Sequence, residues 1–306
     1  MNSAYIASIL NSTLRSTTPI LLAALGSAIC SRVGVFNIAL EAQMLIACFF
    51  SIAVNYTTGS VLLSVLVGIL SGALVGLIVA VLQVKYGAAD MVIGTSLNLL
   101  VQGGTTFLLY LFFGLRGVLN DPKLVSLTKI NLPLIRDIPF LGRALENLTI
   151  LDYLCYVIAI LLFLYLFKTV PGFRTLSVGI NKSAAESLGT KATRIQMEMV
   201  VLSGALCGLG GTALSMGQVI MFTENMTSGR GFIAMAAASL GMNHPLLAVL
   251  SSLFFGLCQG VGLALQTVIK SQLTMTLPYI ATIVALVAFS RRGGGTARLK
   301  KQSPKS

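Results

Sequence analysis

The chain has 306 residues, of which 56% are hydrophobic and 10% are charged, and its mean hydropathy is +0.90. Soluble globular domains carry about 25% charged residues, so this composition excludes a soluble domain and predicts an all-α, polytopic membrane helical bundle. The net charge of +12 does not require nucleic acid, because six of the 21 basic residues follow Ser290 and the others are scattered between apolar runs. A membrane protein with basic loops on its cytoplasmic side has this pattern.

The apolar runs predict about nine membrane segments, two of them short or broken. Crossing a bilayer needs about 20 apolar residues, and the runs Pro19–Ile29 and Phe232–Leu240 fall short of that length. The other seven segments are 38–54, 61–84, 91–114, 153–167, 199–220, 246–268 and 272–289. We therefore expect a transmembrane domain over residues 1–290 and a basic cytoplasmic tail over 291–306.

The first polar break spans Ser31 to Asn37, and Asn37 can cap the helix that follows. Glu41 lies one turn into that helix, beside Gln43 and Arg32. A carboxylate and an amide at membrane depth would line a polar route, because charge in hydrocarbon is costly and is kept for a function. The alternative is that Glu41 lies near the interface, where it favours its own helix N-terminus or pairs with Arg32.

Two predicted spans carry glycines at four-residue spacing, Gly68, Gly72 and Gly76 in one and Gly204 and Gly208 in the other. Small residues at this spacing allow a neighbouring helix to approach closely. These stripes therefore predict tight helix–helix contacts.

Asn98 and Gln102 lie four residues apart on one face of the predicted span 91–114. Their amides could bind a sugar or a base, or they could bond a neighbouring helix. Both interpretations remain open from the sequence.

The loop 115–152 carries five basic and four acidic residues, and this near balance is typical of an external loop. Arg32, Lys85 and the segment 168–198 then fall on the opposite, cytoplasmic side together with the tail. This arrangement predicts an external N-terminus and a cytoplasmic C-terminus.

The segment 168–198 is a long polar stretch with helix signals. Asn181 can cap a short helix that Gly189 ends. Thr193 is predicted to open the next helix through a T-x-x-Q capping box, and Arg194 can pair with Glu198. A short helix between two spans is what a membrane protein would present to a soluble motor, although a simple connecting loop is the alternative.

Neither a catalytic nor a metal site is predicted. All five cysteines lie inside apolar stretches without C-x-x-C spacing, and His244 has no cluster of other ligands near it. The sequence also lacks a G-x-x-x-x-G-K-[ST] phosphate loop and the hydrolase motifs. We therefore expect a non-enzymatic protein without cofactors or metal.

The stretch RVGVFNIALEAQML resembles the permease subunits of bacterial ABC importers for nucleosides, in a wider family that also imports ribose-type sugars and branched-chain amino acids. The matching positions are Gly34, Val35, Asn37, Ile38, Leu40, Glu41 and Met44. Agreement continues at DIPFLG (137–142), at VGINKSAAESLGTKATRIQ with LSGALCGLGG, and at MTSGRGFIAMAA (226–237). The family usually has glycines where this chain has Ala39 and Ala42, and often an Arg-Trp at Met242, which bears on the substrate more than on the family.

The resemblance implies a subunit in the bacterial plasma membrane that pairs with a second permease, cytoplasmic ATPases and an external substrate-binding lipoprotein. It implies that the ATPase-coupling helix comprises Ala184, Ala185, Glu186, Leu188 and Gly189. The candidate substrate-pathway residues are Asn37, Glu41, Gln43, Asn98 and Gln102. The alternatives are a permease for a ribose-type sugar and an ion-gradient-driven secondary transporter; a membrane enzyme lacks a catalytic cluster, and a passive channel lacks a filter.

Overall fold

The computed structural model describes residues 3–130 and 145–266. The predicted span 272–289, the DIPFLG passage and the basic tail lie outside these residues. Within them the helices are α1 Ser3–Arg32, α2 Leu40–Thr58, α3 Val61–Ala80, α4 Asp90–Phe113, α5 Ile150–Lys168, α6 Val170–Ile180, α7 Lys182–Ser187, α8 Ala192–Thr212, α9 Arg230–Leu240 and α10 Pro245–Leu265. Short π-helical turns, Val81–Lys85 and Ala213–Val219, extend α3 and α8.

Seven of these helices are long and apolar enough to cross a membrane, namely α1 to α5, α8 and α10. The predicted polytopic helical bundle is therefore confirmed. The run Phe232–Leu240 is short as predicted, because α9 has only 11 residues. Its neighbours on either side are non-helical polar segments.

The expectation of a short first segment is wrong, because α1 is a continuous helix of 30 residues that contains Pro19. Proline has no N–H to donate to the carbonyl of Arg15 one turn earlier. The side-chain amide of Gln218 donates to that carbonyl instead. The Arg15 guanidinium in turn donates to the carbonyl of Gly217 at 3.2 Å, so a distant polar partner compensates for the proline.

The centre of the bundle is α8, which packs against α1, α2 and α3. The two predicted glycine stripes face each other across α3 and α8. A Cβ added at Gly72 would lie 2.5 Å from the carbonyl oxygen of Gly204 and 2.7 Å from the Cα of Gly208. The two backbones are therefore in direct contact, as the spacing of the glycines predicts.

Two-residue strands tie the connections together at the end of the bundle near Arg15. Strand β1, Val118–Leu119, pairs antiparallel with β4, Phe222–Thr223. Strands β2, Lys129–Ile130, and β3, Leu148–Thr149, pair in the same way. The described parts of the loop 115–152 are therefore fastened to the bundle.

We expect Gly72→Ala to lower the stability of the protein, because its methyl group would meet backbone atoms of α8 that cannot move independently. Overpacking of this kind costs about 1–3 kcal/mol. The control Ala73→Val adds bulk at the neighbouring, half-exposed position of the same helix. Thermal unfolding in detergent should show a lower melting temperature for Gly72→Ala only; equal melting temperatures would contradict the close contact.

Candidate functional site

Two non-helical segments meet at Glu41 in the bundle. One is residues 33–39, between α1 and α2, and the other is residues 220–229, before α9. The depth of the first segment follows from α8, because Asn37 Nδ2 donates to Ser203 Oγ at 3.3 Å and Ser203 lies about halfway between Ala192 and Val219. Non-helical backbone is tolerated at membrane depth only where protein or a water-filled cavity surrounds it. The site is built around these two segments.

Glu41 joins the two segments. Its Oε1 accepts a hydrogen bond from the Gly229 N–H at 2.7 Å, and its Oε2 accepts one from the Gly231 N–H at 2.6 Å. Both donors belong to the N-terminal end of α9, where a negative charge is favourable. The absence of a side chain at Gly231 allows this approach, since a Cβ there would lie 2.6 Å from the Glu41 nitrogen.

The alternative placement of Glu41 is only partly right. Glu41 lies in the first turn of α2, so its charge does favour its own helix N-terminus. It does not pair with Arg32, whose guanidinium donates to the carbonyls of Met242 and Asn243 at 3.0 and 2.8 Å. One carboxylate that is 8% exposed therefore lies at the N-terminal ends of two helices.

Asn37 does not cap α2, because α2 begins at Leu40. Its Oδ1 instead accepts from the Ala39 N–H at 3.0 Å within the extended segment, and its Nδ2 donates to Gln43 Oε1 at 3.2 Å. Gln43 is fully buried, and its Nε2 has no hydrogen-bond partner among the described residues. The Gln43 amide is therefore an unsatisfied donor in the middle of the bundle.

Asn98 bonds the start of α2. Its Oδ1 accepts from the Ala42 N–H at 2.9 Å, and its Nδ2 donates to the Ile38 carbonyl at 3.2 Å. Asn98 therefore bonds a neighbouring helix, which is the second of the two interpretations that the sequence left open. Gln102 lies one turn further along α4 and is exposed, so it is not brought into contact with the other four candidates.

Besides Ser203, two more polar residues of this site were not predicted. Gln196 Nε2 donates to the Val33 carbonyl at 3.2 Å, and Gln83 Nε2 donates to the Phe36 carbonyl at 3.4 Å. Both satisfy the extended backbone of residues 33–39. In the sequence, Gln196 and Gln83 are each marked only as an amide at the edge of an apolar run, and this position does not identify the group that the amide bonds.

The predicted coupling segment forms a compact turn at the Arg32 end of the bundle. Asn181 Oδ1 accepts from the Ala184 N–H at 3.1 Å, and Gly189 is in the left-handed conformation with φ 80°, as predicted. Ala185 is 3% exposed, whereas Leu188 is 86% exposed. The segment therefore presents Leu188 to its surroundings, together with the exposed side chains of Ala184 and Glu186.

The helix that follows this turn begins differently from its prediction. The capping box at Thr193 is wrong, because α8 starts at Ala192 and Thr193 lies inside it. Gln196, its supposed partner, bonds Val33 instead. The pair Arg194–Glu198 is confirmed at 2.8 Å on the exposed face.

Close contacts connect the coupling segment to the site. Gly179 of α6 packs directly on the carbonyl of Arg32, at the end of α1. The Arg32 guanidinium also lies 5.7 Å from the centre of the Phe167 ring, on which His244 stacks. Burial and the nearby Arg32 charge hold the pKa of His244 below its usual value, which favours the neutral imidazole.

Comparison with known proteins identifies what the chain is similar to. Residues 9–286 match the family described as branched-chain amino acid transport system / permease component. The chain is 34% identical over 296 residues to the guanosine ABC transporter permease protein NupQ of Bacillus subtilis, covering 93% of this chain and 92% of that protein. It is also 34% identical over 285 residues to the nucleoside ABC transporter permease protein NupC of Lactococcus lactis, covering 89% of each.

A third relative is the putative glucose ABC transporter permease protein TsgC13 of Haloferax volcanii. It is 27% identical over 307 residues, which cover 92% of this chain and 91% of that protein. No solved structure matches the chain.

We expect Glu41→Gln to destabilise the bundle, because the amide loses the charge that faces the N-terminal end of α9. Hydrogen bonds to a charged group contribute about 1.5–3 kcal/mol each. The matched control is Glu224→Gln, whose carboxylate accepts from the Gly117 N–H at 2.8 Å but is exposed. Thermal unfolding should show a marked decrease in melting temperature for Glu41→Gln and a small decrease for the control. Unchanged unfolding of Glu41→Gln would contradict this structural role.

Proposed function

The chain belongs to the family of branched-chain amino acid transport system permease components, and from this membership we propose that it is the transmembrane permease subunit of an ATP-driven importer for nucleosides. The observation that carries the substrate class is the 34% identity, over most of the chain, to permeases named for guanosine and for nucleosides. The seven apolar helices agree with a multi-pass membrane protein. The putative glucose permease, at 27% identity, keeps a sugar as the second candidate substrate.

The substrate pathway in this proposal passes the polar centre formed by Asn37, Glu41, Gln43 and Asn98, and Gln102 extends it along α4. A nucleoside offers ribose hydroxyls and the edge of a base, which amide and carboxylate groups can bond. Gln43 is the strongest candidate for a direct contact, since its buried Nε2 has no partner among the described residues. The oxygens of Glu41 already bind two N–H groups, but a carboxylate has further acceptor sites.

The energy for transport comes, in this proposal, from separate cytoplasmic ATPase subunits. The segment from Ala184 to Gly189, which is the end of α7 and the turn after it, is the part that the ATPase contacts, with the exposed Leu188 as its apolar anchor. Its movement would reach the site through contacts in sequence: Gly179 on Arg32, Gln196 on Val33, and Glu41 on α9. These contacts form a continuous path from the ATPase-coupling segment to the site, which supports coupling between the two on spatial grounds.

The remaining partners follow from the same proposal. An external lipoprotein delivers the substrate, and a second permease chain completes the pore in a bacterial plasma membrane. The basic residues at the Arg32 end, with Lys85 and Lys168 among them, support a cytoplasmic location for that end. The N-terminus is then external and the C-terminus cytoplasmic.

Uptake by the complete complex in proteoliposomes tests the proposal. We expect labelled guanosine or another nucleoside to accumulate only with ATP on the ATPase side, and excess ribose or glucose to compete poorly. Ionophores that collapse proton and sodium gradients should leave uptake intact. Uptake by this chain alone that stops on addition of an ionophore would instead establish a secondary transporter, and strong competition by a free sugar would move the substrate class to sugars.

Two substitutions test the coupling segment. Ala185→Pro removes the N–H that donates to the Asn181 carbonyl at 3.1 Å, so α7 should not form. Leu188→Ser removes an apolar side chain that is almost fully exposed, and should leave the fold intact. Both should reduce substrate-stimulated ATP hydrolysis and uptake by at least about tenfold, which corresponds to 1.4 kcal/mol.

The control for Leu188→Ser is Tyr86→Ser, in the turn between α3 and α4. Tyr86 is also largely exposed at the same end of the bundle. Tyr86→Ser should leave substrate-stimulated ATP hydrolysis and uptake near the wild-type level. Normal ATPase stimulation in both coupling variants would remove the role assigned to this segment.

A further inference from the structure

An open groove of about 880 Å³ follows the contact between α3 and α8 and begins beside the coupling segment. Met197, Val201 and Ala205 recur at four-residue spacing on one face of α8, and Leu77 lines the groove from α3. These side chains make its wall apolar. From Lys191 to Ala205 the groove extends about 20 Å along α8. We call it the α3–α8 groove.

The α3–α8 groove continues to membrane depth. Leu77 belongs to the span Val61–Lys85, and Ala205 belongs to the span Ala192–Val219. The hydrocarbon core of a bilayer is about 30 Å thick, or about 15 Å for each leaflet, so a groove about 20 Å long covers the interface and the acyl region of one leaflet. A soluble ATPase subunit does not enter hydrocarbon. The inner part of the groove is therefore filled by a lipid tail or by another membrane-embedded chain.

A polar pocket of about 450 Å³ adjoins the outer end of the groove. Four residues line both, namely Thr190, Lys191, Arg194 and Glu198. Arg174 of α6 lines the polar pocket from the other side. The apolar groove and the polar pocket therefore form one continuous, amphipathic site, which we call the groove and its basic pocket.

The basic pocket carries an excess of positive charge. Arg194 and Glu198 pair with each other at 2.8 Å, and Glu198 is the one carboxylate among the described residues that line this pocket. Arg174 and Lys191 are exposed, and neither forms a salt bridge with another described residue. Glu186 lines the groove rather than the basic pocket. Two positive charges in the pocket are therefore left without an acidic partner from the described part of the chain.

The N-terminal end of α8 adds to this positive field. Lys191 directly precedes α8, and no side chain caps the helix there. The partial positive charge of a helix N-terminus favours an anion, and phosphate groups bind at such ends. Together with Arg174 and Lys191, the end of α8 makes the pocket suited to an anionic group that lies directly above an apolar groove.

We propose that an anionic phospholipid binds here, with an acyl chain in the α3–α8 groove and its phosphate headgroup in the basic pocket. Basic pockets between membrane helices bind the headgroups of acidic phospholipids. A zwitterionic lipid fits the groove but brings a further positive charge to a pocket that already holds two. Leu188 and Gly189 also line the pocket, so the headgroup lies against the coupling segment. The cytoplasmic leaflet as its location rests on the proposed function, whereas the lipid site itself does not.

Photo-labelling by lipids in vesicles that contain the purified complex tests the site. One probe is phosphatidylglycerol and the other is phosphatidylcholine, each with the same diazirine near the end of one acyl chain. Each probe is a minor component of phosphatidylcholine vesicles, and mass spectrometry locates the labelled peptides after illumination. The double variant Arg174→Gln, Lys191→Gln removes both unpaired positive charges of the pocket. Its matched control is Lys85→Gln, at an exposed lysine of the same end of the bundle that lines neither the groove nor the pocket.

We expect the phosphatidylglycerol probe to label residues 197–205 at least about tenfold more than the phosphatidylcholine probe, because two cations attract its headgroup. The double variant should bring the two probes to within about twofold of each other, and Lys85→Gln should keep the wild-type difference. Equal labelling of the wild type by both probes would overturn the proposal, as would a preference that survives the double variant. A lack of lipid label on residues 197–205, as expected if another chain fills the groove, would overturn it as well. Labelling is measured on this chain whether or not the complex transports a nucleoside, so a failure of the proposed function is detected separately, by uptake.

Discussion

The structure depends on one constraint: backbone N–H and C=O groups at membrane depth must find hydrogen-bond partners within the protein. Two segments are not helical, 33–39 in the interior of the bundle and 220–229, whose last residue reaches the buried Glu41. Side chains of Gln83, Asn98 and Gln196 bond the backbone of the first segment. The second segment is bonded mainly by strand pairing and by its own turns. The carboxylate of Glu41 is the centre of this arrangement, since it bonds two N–H groups at the start of α9.

This constraint explains why polar residues that suggest a substrate route also have a structural role. Asn98 and Gln196 bond backbone groups of the first segment, and Asn37 bonds both backbone and Gln43. A pathway lined by such residues is held in place before a substrate arrives, which reduces the cost of ordering on binding. It also joins the site to the coupling segment, because the same extended backbone begins where Gly179 packs on Arg32.

The sequence predicted what depends on local pattern. Apolar runs identified the spans, glycine spacing identified the contact of α3 with α8, and Asn181 with Gly189 identified the bounds of the coupling turn. It missed what depends on distant partners. The continuity of α1 through Pro19 requires Gln218, and the role of Glu41 requires Gly229 and Gly231, nearly 190 residues away. No spacing rule along the chain reports such contacts.

Hydrogen–deuterium exchange of the complex in lipid nanodiscs tests the central claim most directly. Segments without helical hydrogen bonds normally exchange fast, whereas amides bonded to buried side chains are protected. We expect peptides covering 37–42 and 228–232 to exchange as slowly as peptides from the middle of α8. Exchange of these two peptides within seconds, at the rate of the exposed turn at 86–89, would contradict it.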